Sequence, residues 1–256
     1  MAEIRWSGPW EYDAFKLFCK DFYNWAKIER KSASSFVAQY DNATLMRDEM
    51  KGSGFSYSSD GMPAAGTITS WLATFQGGKL LGTAKNLKVS VASLISAFKT
   101  ISVDDDRIAL RKILSGNDVI TTGSANDYLE GFDGKDVLIG GGGADTLWGG
   151  KGADRFVFDS IKHSRATEAG RDRISDFSRA QKDKIDLHAI DANTKQAGNQ
   201  AFAFIGTQAF TKAGQLRYER DGSHLNVYGD VNGDGKADFS IRVESLSKLI
   251  KGDFFL

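Results

Sequence analysis

The sequence predicts a mainly β protein, in which a coil of short parallel strands leads into a β-rich C-terminal part and follows a small α+β part. Two observations predict this fold: a nine-residue repeat near the middle of the chain, and 28 glycines against only 2 prolines among 256 residues. Glycine without proline indicates many tight turns within ordered structure rather than a flexible linker. We expect three segments, 1–113, 114–159 and 160–256.

The first segment mixes helical and strand patterns. Across residues 11–30, four aromatic side chains recur at helical spacing, which predicts a helix packed on a core. Residues 33–90 are rich in Thr, Ile, Trp and Phe, and turn motifs at 59–61 and 76–78 divide them, so we expect strands there. Residues 90–100 and 105–114 predict two short helices.

The repeat occupies the second segment. Its five aspartates are nine residues apart, and an apolar residue stands two positions after each one. These aspartates are Asp118, Asp127, Asp136, Asp145 and Asp154. Glycine stands two positions before four of them, including Gly134, Gly143 and Gly152. The pattern is that of a calcium-binding parallel β-helix repeat, in which the apolar residue fills a narrow core.

The spacing also predicts how a cation is held. Two repeat units make one coil, so units two apart stack, and their aspartates are 18 residues apart in sequence. The predicted pairs are Asp118 with Asp136, Asp127 with Asp145, and Asp136 with Asp154. Carboxylates together with backbone carbonyls form an all-oxygen shell, which suits Ca²⁺. The first units lack some of the repeat glycines, so we expect weaker sites there.

The charge distribution supports a cation site. The whole chain balances 33 basic against 33 acidic residues, whereas residues 116–159 contain eight acidic and only three basic residues. A nucleic-acid surface requires clustered Lys and Arg instead, so we expect no nucleic-acid partner. The N-terminus lacks the apolar stretch of a signal peptide, and no stretch has the length of a membrane span.

From Ser115 to Leu256 the chain resembles the RTX proteins, especially the C-terminal domain of the serralysin metalloproteases. The repeats carry this resemblance, together with the motifs at 172–177 (DRISDF), 183–187 (DKIDL) and 235–239 (GKADF). The resemblance implies a calcium-loaded β-roll that continues into a β-rich domain. It also implies Ca²⁺ near a second acidic cluster, through Asp176, Asp183 or Asp186. The alternative is that these three aspartates simply end strands at the surface.

The last four residues, Asp-Phe-Phe-Leu at 253–256, resemble the endings of type I secretion substrates. We therefore expect a secreted, extracellular protein that meets the type I secretion apparatus during export. Residues 230–238 (DVNGDGKAD) have the spacing of an EF-hand-like loop, but Ile241 stands where a bidentate acid is needed. This segment is either a turn between two strands or a weak Ca²⁺ site.

Catalysis by the serralysin mechanism is not implied by the resemblance. That mechanism requires a zinc helix with the motif H-E-x-x-H, and none of the three histidines, His163, His188 and His224, has this context. We expect a non-enzymatic protein whose residues 1–113 bind a cell-surface or other extracellular partner. The alternative is a secreted enzyme with an unrecognised active site in residues 1–113.

Overall fold

The computed structural model describes residues 3–6, 26–40, 46–75, 80–93, 108, 111–112 and 114–256. The chain forms two compact units, which divide between Val119 and Ile120. Most of the helix predicted across 11–30 lies outside the described residues. The prediction is wrong for residues 26–30, because they belong to a strand whose neighbour along the sheet supplies their backbone hydrogen bonds.

The first unit contains one antiparallel sheet. Its strands are β1 (Glu3–Trp6), β2 (Ala26–Lys31), β3 (Ser35–Tyr40), β4 (Met46–Tyr57), β5 (Pro63–Phe75) and β6 (Leu80–Ser90). They lie in the order β1-β6-β5-β4-β3-β2. The buried side chains Phe36, Met50, Ile68 and Trp71 form part of its core.

The strands predicted over residues 33–90 are confirmed by β3 to β6, and the turn at 59–61 joins β4 to β5. The turn motif at 76–78 lies outside the described residues. Of the two helices predicted over 90–100 and 105–114, residues 91–93, 108 and 111–112 are described and helical. The prediction is wrong for Ser90, which ends β6, and for Leu114, which lies in a turn. Among the described residues, no helix has the length and apolar character needed to cross a bilayer.

The second unit begins with five strands of three residues each. They are β7 (Val119–Thr121), β8 (Tyr128–Glu130), β9 (Val137–Ile139), β10 (Thr146–Trp148) and β11 (Arg155–Val157). Strands two apart pair in parallel: β8 with β10, and β9 with β11. This alternation confirms the predicted β-roll and its 18-residue coil.

The remaining strands extend both faces of the roll. They are β12 (Asp172–Ile174), β13 (Lys184–Asp186), β14 (Ala203–Phe204), β15 (Gln215–Asp221), β16 (His224–Asp230), β17 (Phe239–Val243) and β18 (Phe254–Phe255). One face has the order β18-β13-β11-β9-β7, and the other has β14-β15-β16-β17-β12-β10-β8. The β-rich C-terminal part therefore continues the two sheets of the roll.

A single column of apolar side chains forms the core of the roll. The middle residue of each short strand is fully buried, as the repeat predicts. The column contains Ile120, Leu129, Leu138, Leu147, Phe156, Ile174 and Ile185. Because each coil contributes only two such side chains, the apolar core is narrow, and the turns must contribute to stability as well.

The C-terminus closes one face of the roll. Strand β18 pairs in parallel with β13, and a 3-10 turn at Lys251–Asp253 leads into it. The carboxylate of Asp253 is buried and accepts two hydrogen bonds from Arg179, from Nε and from Nη2, both at 2.7 Å. Arg179 also donates to the carbonyl of Lys248. One guanidinium therefore holds the last turn of the chain against the 3-10 turn at Arg179–Gln181.

We expect Arg179→Gln to lower the free energy of unfolding by about 2–3 kcal/mol, because hydrogen bonds to a charged partner are lost and Asp253 stays buried. Chemical denaturation of the full chain, followed by circular dichroism, measures this change. Arg220→Gln is the matched control, since Arg220 is exposed and bonds only backbone carbonyls of Gly222 and Ser247. Equal losses in the two variants would contradict the proposed role of the Arg179–Asp253 pair.

Candidate metal centre

An aspartate precedes or begins each short strand of the roll. Asp127, Asp136, Asp145 and Asp154 stand directly before β8, β9, β10 and β11, and Asp118 stands directly before β7. All five are buried, with at most 3% of each residue exposed. Burying a carboxylate is energetically unfavourable unless it is paired or coordinates a metal. The turns therefore contain several carboxylates whose burial lowers the stability of the folded chain.

Two hydrogen bonds connect the coil of Asp127 to that of Asp145, and two connect the coil of Asp136 to that of Asp154. The backbone N–H of Asp127 donates to Oδ1 of Asp145 at 2.8 Å, and the N–H of Asp136 donates to Oδ1 of Asp154 at 2.9 Å. In return, the carbonyls of Asp127 and Asp136 accept from the residues that follow Asp145 and Asp154. The predicted 18-residue stacking of these two pairs is confirmed, whereas their coordination of a cation stays a prediction.

Both stacks continue beyond the repeat. The N–H of Asp145 donates to Oδ1 of Asp172 at 2.9 Å, and the N–H of Asp154 donates to Oδ1 of Asp183 at 3.0 Å. One column therefore contains Asp127, Asp145 and Asp172. The other contains Asp136, Asp154 and Asp183. We call these sets the first and the second aspartate column.

Asp172 is a member of the first column that sequence reasoning missed as a site residue. It lies 27 residues after Asp145 instead of 18, so a search by repeat length does not find it. The local pattern does identify it, because Asp172 is followed two positions later by Ile174, as every repeat aspartate is followed by an apolar residue. Asp183 and Ile185 have the same relation.

The second carboxylate oxygen of three column members accepts no hydrogen bond. Oδ2 of Asp145, Asp154 and Asp172 is buried without a donor. In Asp145 and Asp154 this oxygen lies against the Cα of Gly140 and Gly149, where a side-chain Cβ would collide with it. Buried carboxylate oxygens without donors, beside the backbone of a glycine turn, fit the oxygen-rich shell of a hard divalent cation.

Electrostatics reinforce this interpretation. Burial, followed by the charge of Asp172, raises the pKa of Asp145 to about 9. Burial raises the pKa of Asp172 to about 8 and that of Asp154 to about 6, and the charge of Asp183 also raises the latter. Carboxyl groups with such pKa values lack a compensating positive charge. A divalent cation between the turns would supply it.

The predicted glycines allow the turns to stack closely. Gly143 and Gly152 have φ of +126° and +137°, and a Cβ on either would collide with the carbonyl oxygen of the coil below, at Ala125 and Gly134 respectively. Gly134 itself has φ of +155°. Glycine is therefore required here both for the backbone conformation and for close approach of carbonyls to the site.

The second acidic cluster has different partners at each residue. Asp176 accepts backbone hydrogen bonds from Gly149 and Gly150, at 2.9 and 2.7 Å, and burial raises its pKa. Asp183 accepts from Asp154 and from Ser178, and burial raises its pKa as well. Both carboxylates therefore lie beside the last turns of the roll, where the predicted calcium site near this cluster would be.

Asp186 lies apart from these turns. It is a buried residue within β13, and its carboxylate contacts the guanidinium of Arg155 at 3.3 Å and Nδ1 of His188 at 2.5 Å. These contacts already supply positive or donor groups. Asp176 and Asp183 are therefore better placed than Asp186 to contribute oxygen ligands.

The EF-hand-like segment 230–238 forms the turn between β16 and β17. Both carboxylate oxygens of Asp230 accept backbone hydrogen bonds, from Gly233 and Gly235. Asp238 accepts from Val231 and from the amide of Asn232. These contacts account for the acidic residues as turn-forming groups.

Among the residues that the structure describes, no three side chains of His, Cys, Asp or Glu are gathered as a metal centre. The aspartate columns differ from such centres because two carboxylates face each other from successive coils, and backbone carbonyls must complete the shell. A site of this kind suits Ca²⁺ better than Zn²⁺, which takes four nitrogen or sulfur ligands in its structural sites.

Comparison with known families gives one result that covers most of the chain. Residues 97–256 match the model of the family "Peptidase M10 serralysin C terminal". No curated protein sequence matches the chain. The matched region includes both aspartate columns and all of residues 120–256.

The solved structures that are similar to part of the chain include two subunits of one enzyme. The AlgE6R3 subunit of the Azotobacter vinelandii mannuronan C5-epimerase is 29% identical, with a TM-score of 0.39, over 55% of this chain and 73% of that one. The AlgE6R2 subunit of the Azotobacter vinelandii mannuronan C5-epimerase is 25% identical, with a TM-score of 0.40, over 56% of this chain and 86% of that one.

In excess chelator, we expect the free energy of unfolding to fall as pH rises from about 4 to about 9. Asp145, Asp154 and Asp172 have folded-state pKa values of about 9, 6 and 8, against 3.8 for an ordinary Asp. The folded state therefore binds more protons across this range, and its stabilisation by protonation is lost as pH passes through these values. Because the roll should lose its structure towards the upper end of this range, its β circular dichroism signal in chelator, followed from about pH 4 to about pH 9, measures the slope.

Millimolar Ca²⁺ should abolish this slope or reverse it, because a cation favours the charged carboxylates. A stability that is independent of pH in chelator would contradict the raised pKa values.

Proposed function

Because the chain belongs to the Peptidase M10 serralysin C-terminal family, we propose that it is a secreted calcium-binding RTX protein that folds around Ca²⁺ outside the cell. The observation that carries this proposal is the stacking of buried aspartates in two columns, with Oδ2 atoms that accept no hydrogen bond in Asp145, Asp154 and Asp172. A buried column of like charges is stable only when something neutralises it.

The proposed ligands come from both columns and from the turns. Asp118, Asp127, Asp136, Asp145, Asp154, Asp172, Asp176 and Asp183 would supply carboxylate oxygens, with Asp186 as a more distant candidate. The backbone of the turns at Gly134, Gly143 and Gly152 would supply carbonyl oxygens. Bound Ca²⁺ contributes two positive charges to each pair of turns and accepts only oxygen ligands there.

Calcium binding of this kind becomes folding energy. The unfolded chain has no preformed shell, so the free energy of binding stabilises only the folded roll. Sites of the extracellular type have dissociation constants of about 10⁻⁴–10⁻³ M. Free Ca²⁺ outside a cell fills such sites, whereas the lower concentration inside does not. We infer that the second unit remains unfolded until it leaves the cell.

In this proposal, each segment of the chain has its own role. Residues 114–159 form the calcium roll, and residues 160–256 close it and carry the export signal at 253–256, which the type I secretion apparatus reads. In the folded chain Asp253 is buried and Phe254 lies in β18, paired with β13. The exporter must therefore read this segment before the roll folds.

Residues 1–113 would bind an extracellular partner. In the described residues of this segment, a surface cavity between β5 and β6 is lined by one leucine and by lysine, hydroxyl and amide groups, and by no carboxylate. That lining supports a binding role over the alternative of a secreted enzyme, which would need acid and base groups for hydrolysis.

Asp145→Asn tests the calcium proposal through two effects of opposite sign. Asparagine keeps an oxygen that accepts from Asp127 but carries no charge. In chelator we expect the variant to be more stable than the native chain, because it removes a buried carboxyl. With Ca²⁺ we expect the folding midpoint to shift about tenfold to higher concentration, because a ligand charge is lost. Calcium titration followed by circular dichroism measures both effects.

Asp133→Asn is the matched control for this test. Asp133 lies in the same acidic block, but it is partly exposed and forms a surface ion pair with Lys151 at 3.8 Å. We expect its calcium midpoint to remain that of the native chain. The calcium proposal would be overturned by a full β spectrum in excess chelator that does not change when Ca²⁺ is added.

Deleting the last 50 or so residues should leave the chain inside cells that carry a matching type I exporter. The reason is that the proposed export signal is removed. Asp145→Asn controls for failure to fold, because it weakens calcium-driven folding and leaves residues 253–256 intact. We expect Asp145→Asn to be exported. Immunoblots of medium and cells measure the partition, and normal secretion of the truncated chain would contradict the assignment.

A further inference from the structure

A surface cavity of about 750 Å³ lies on the first unit, between β5 and β6. Its polar lining consists of Thr67, Thr69, Ser70, Lys85, Asn86 and Lys88. The cavity is widely open to solvent, so a ligand bound there would lie along the surface of the sheet. None of the residues that hold calcium in our proposal lines it.

An irregularity in strand pairing creates this cavity. Ile68 pairs with Val89 and Ser70 pairs with Lys85, so Thr69 on β5 faces three residues, 86–88, on β6. Asn86 has φ of +57°, in the left-handed region that asparagine tolerates better than most residues. Bulges of this kind redirect side chains and occur often beside functional sites.

One buried side chain anchors the bulge. Leu87 is only 5% exposed, whereas Lys85, Asn86 and Lys88 are exposed around it. The opposite wall is also ordered, because the hydroxyl of Thr69 donates to the carbonyl of Lys51 at 3.2 Å. The polar groups are therefore presented by paired strands rather than by a free loop, which favours a preorganised site.

The chemistry of the lining selects an anionic ligand that is rich in hydroxyl groups. Two ammonium groups attract carboxylate or sulfate. The hydroxyls of Thr67 and Ser70 and the amide of Asn86 can donate and accept hydrogen bonds, whereas the hydroxyl of Thr69, which donates to Lys51, can accept one. A single-stranded nucleic acid would need aromatic stacking platforms and a longer basic groove. The lining offers two lysines and no aromatic ring.

We propose that this cavity binds an acidic saccharide, with Lys85 and Lys88 facing its carboxylate or sulfate groups and Thr67, Thr69, Ser70 and Asn86 facing its hydroxyls. The inference rests on the proposed role of residues 1–113 as the partner-binding part, and it names the class of partner. Calcium does not enter the recognition, because no proposed calcium ligand lines the cavity.

The test is isothermal titration calorimetry of the full chain in millimolar Ca²⁺. The probes are tetragalacturonate for carboxylate, a chondroitin sulfate tetrasaccharide for sulfate, maltotetraose as a neutral sugar, inorganic phosphate and a short single-stranded DNA. We expect one of the two acidic saccharides to bind and maltotetraose not to bind. The double variant Lys85→Gln/Lys88→Gln should weaken that binding about tenfold or more, because two charge-assisted contacts are lost.

Two further variants sharpen the test. Lys162→Gln/Lys212→Gln removes two exposed lysines of the second unit and should leave affinity unchanged. Asn86→Gly keeps the left-handed backbone and removes only the amide, so we expect a loss of a few-fold.

Several outcomes would overturn the inference. These are equal affinity for maltotetraose, equal loss in the two double-lysine variants, binding of phosphate or DNA more tightly than of either acidic saccharide, or no saccharide binding. In each case a normal calcium-dependent folding transition in the same sample leaves the calcium proposal standing. Loss of that transition in the native chain would instead refute the calcium proposal.

Discussion

The repulsion between buried carboxylates stacked one coil apart is the interaction on which the rest of the second unit depends. Each coil of the roll buries only two apolar side chains, so the core alone is narrow, and the turns hold aspartates whose pKa values are raised by burial and by one another. The same hydrogen bonds that align the coils also bring these carboxylates together. The coils can therefore stack closely only when the charge of these carboxylates is neutralised. A cation between the turns would neutralise it.

The C-terminal end of the unit neutralises its buried carboxylate with a side chain of its own. In the second column, the N–H of Asp154 donates to Asp183. On the strand that pairs with β13, Asp253 directly precedes β18, just as each repeat aspartate directly precedes its own strand. There the positive charge is supplied by the chain itself, since Arg179 forms two hydrogen bonds with Asp253. An internal guanidinium thus closes a stack whose interior, in our proposal, takes a calcium ion.

The sequence predicted the roll because its period is short and is repeated five times. It did not identify Asp172 as a site residue, because a longer insertion raises the spacing from 18 to 27 residues while the stacking stays the same. Asp176, Asp183 and Asp186 looked alike in sequence, but their partners differ: Asp186 faces Arg155 and His188. The sequence around an aspartate does not show which distant residues the fold places beside it. The helix predicted over 11–30 failed at residues 26–30 for a similar reason, since pairing with β3 overrides a local helical pattern.

The backbone irregularities of the two units bring together side chains of opposite charge. In the second, glycine turns allow carbonyls and carboxylates to converge, which concentrates negative charge around a site for a cation. In the first, the bulge at Thr69 and Asn86 places lysines beside hydroxyls, which favours an anion. Because the two sets of residues are separate, the ligand site in residues 1–113 does not need calcium among its own contacts. In our proposals, calcium determines where the second unit folds, and the lysine-lined cavity determines what the first unit recognises.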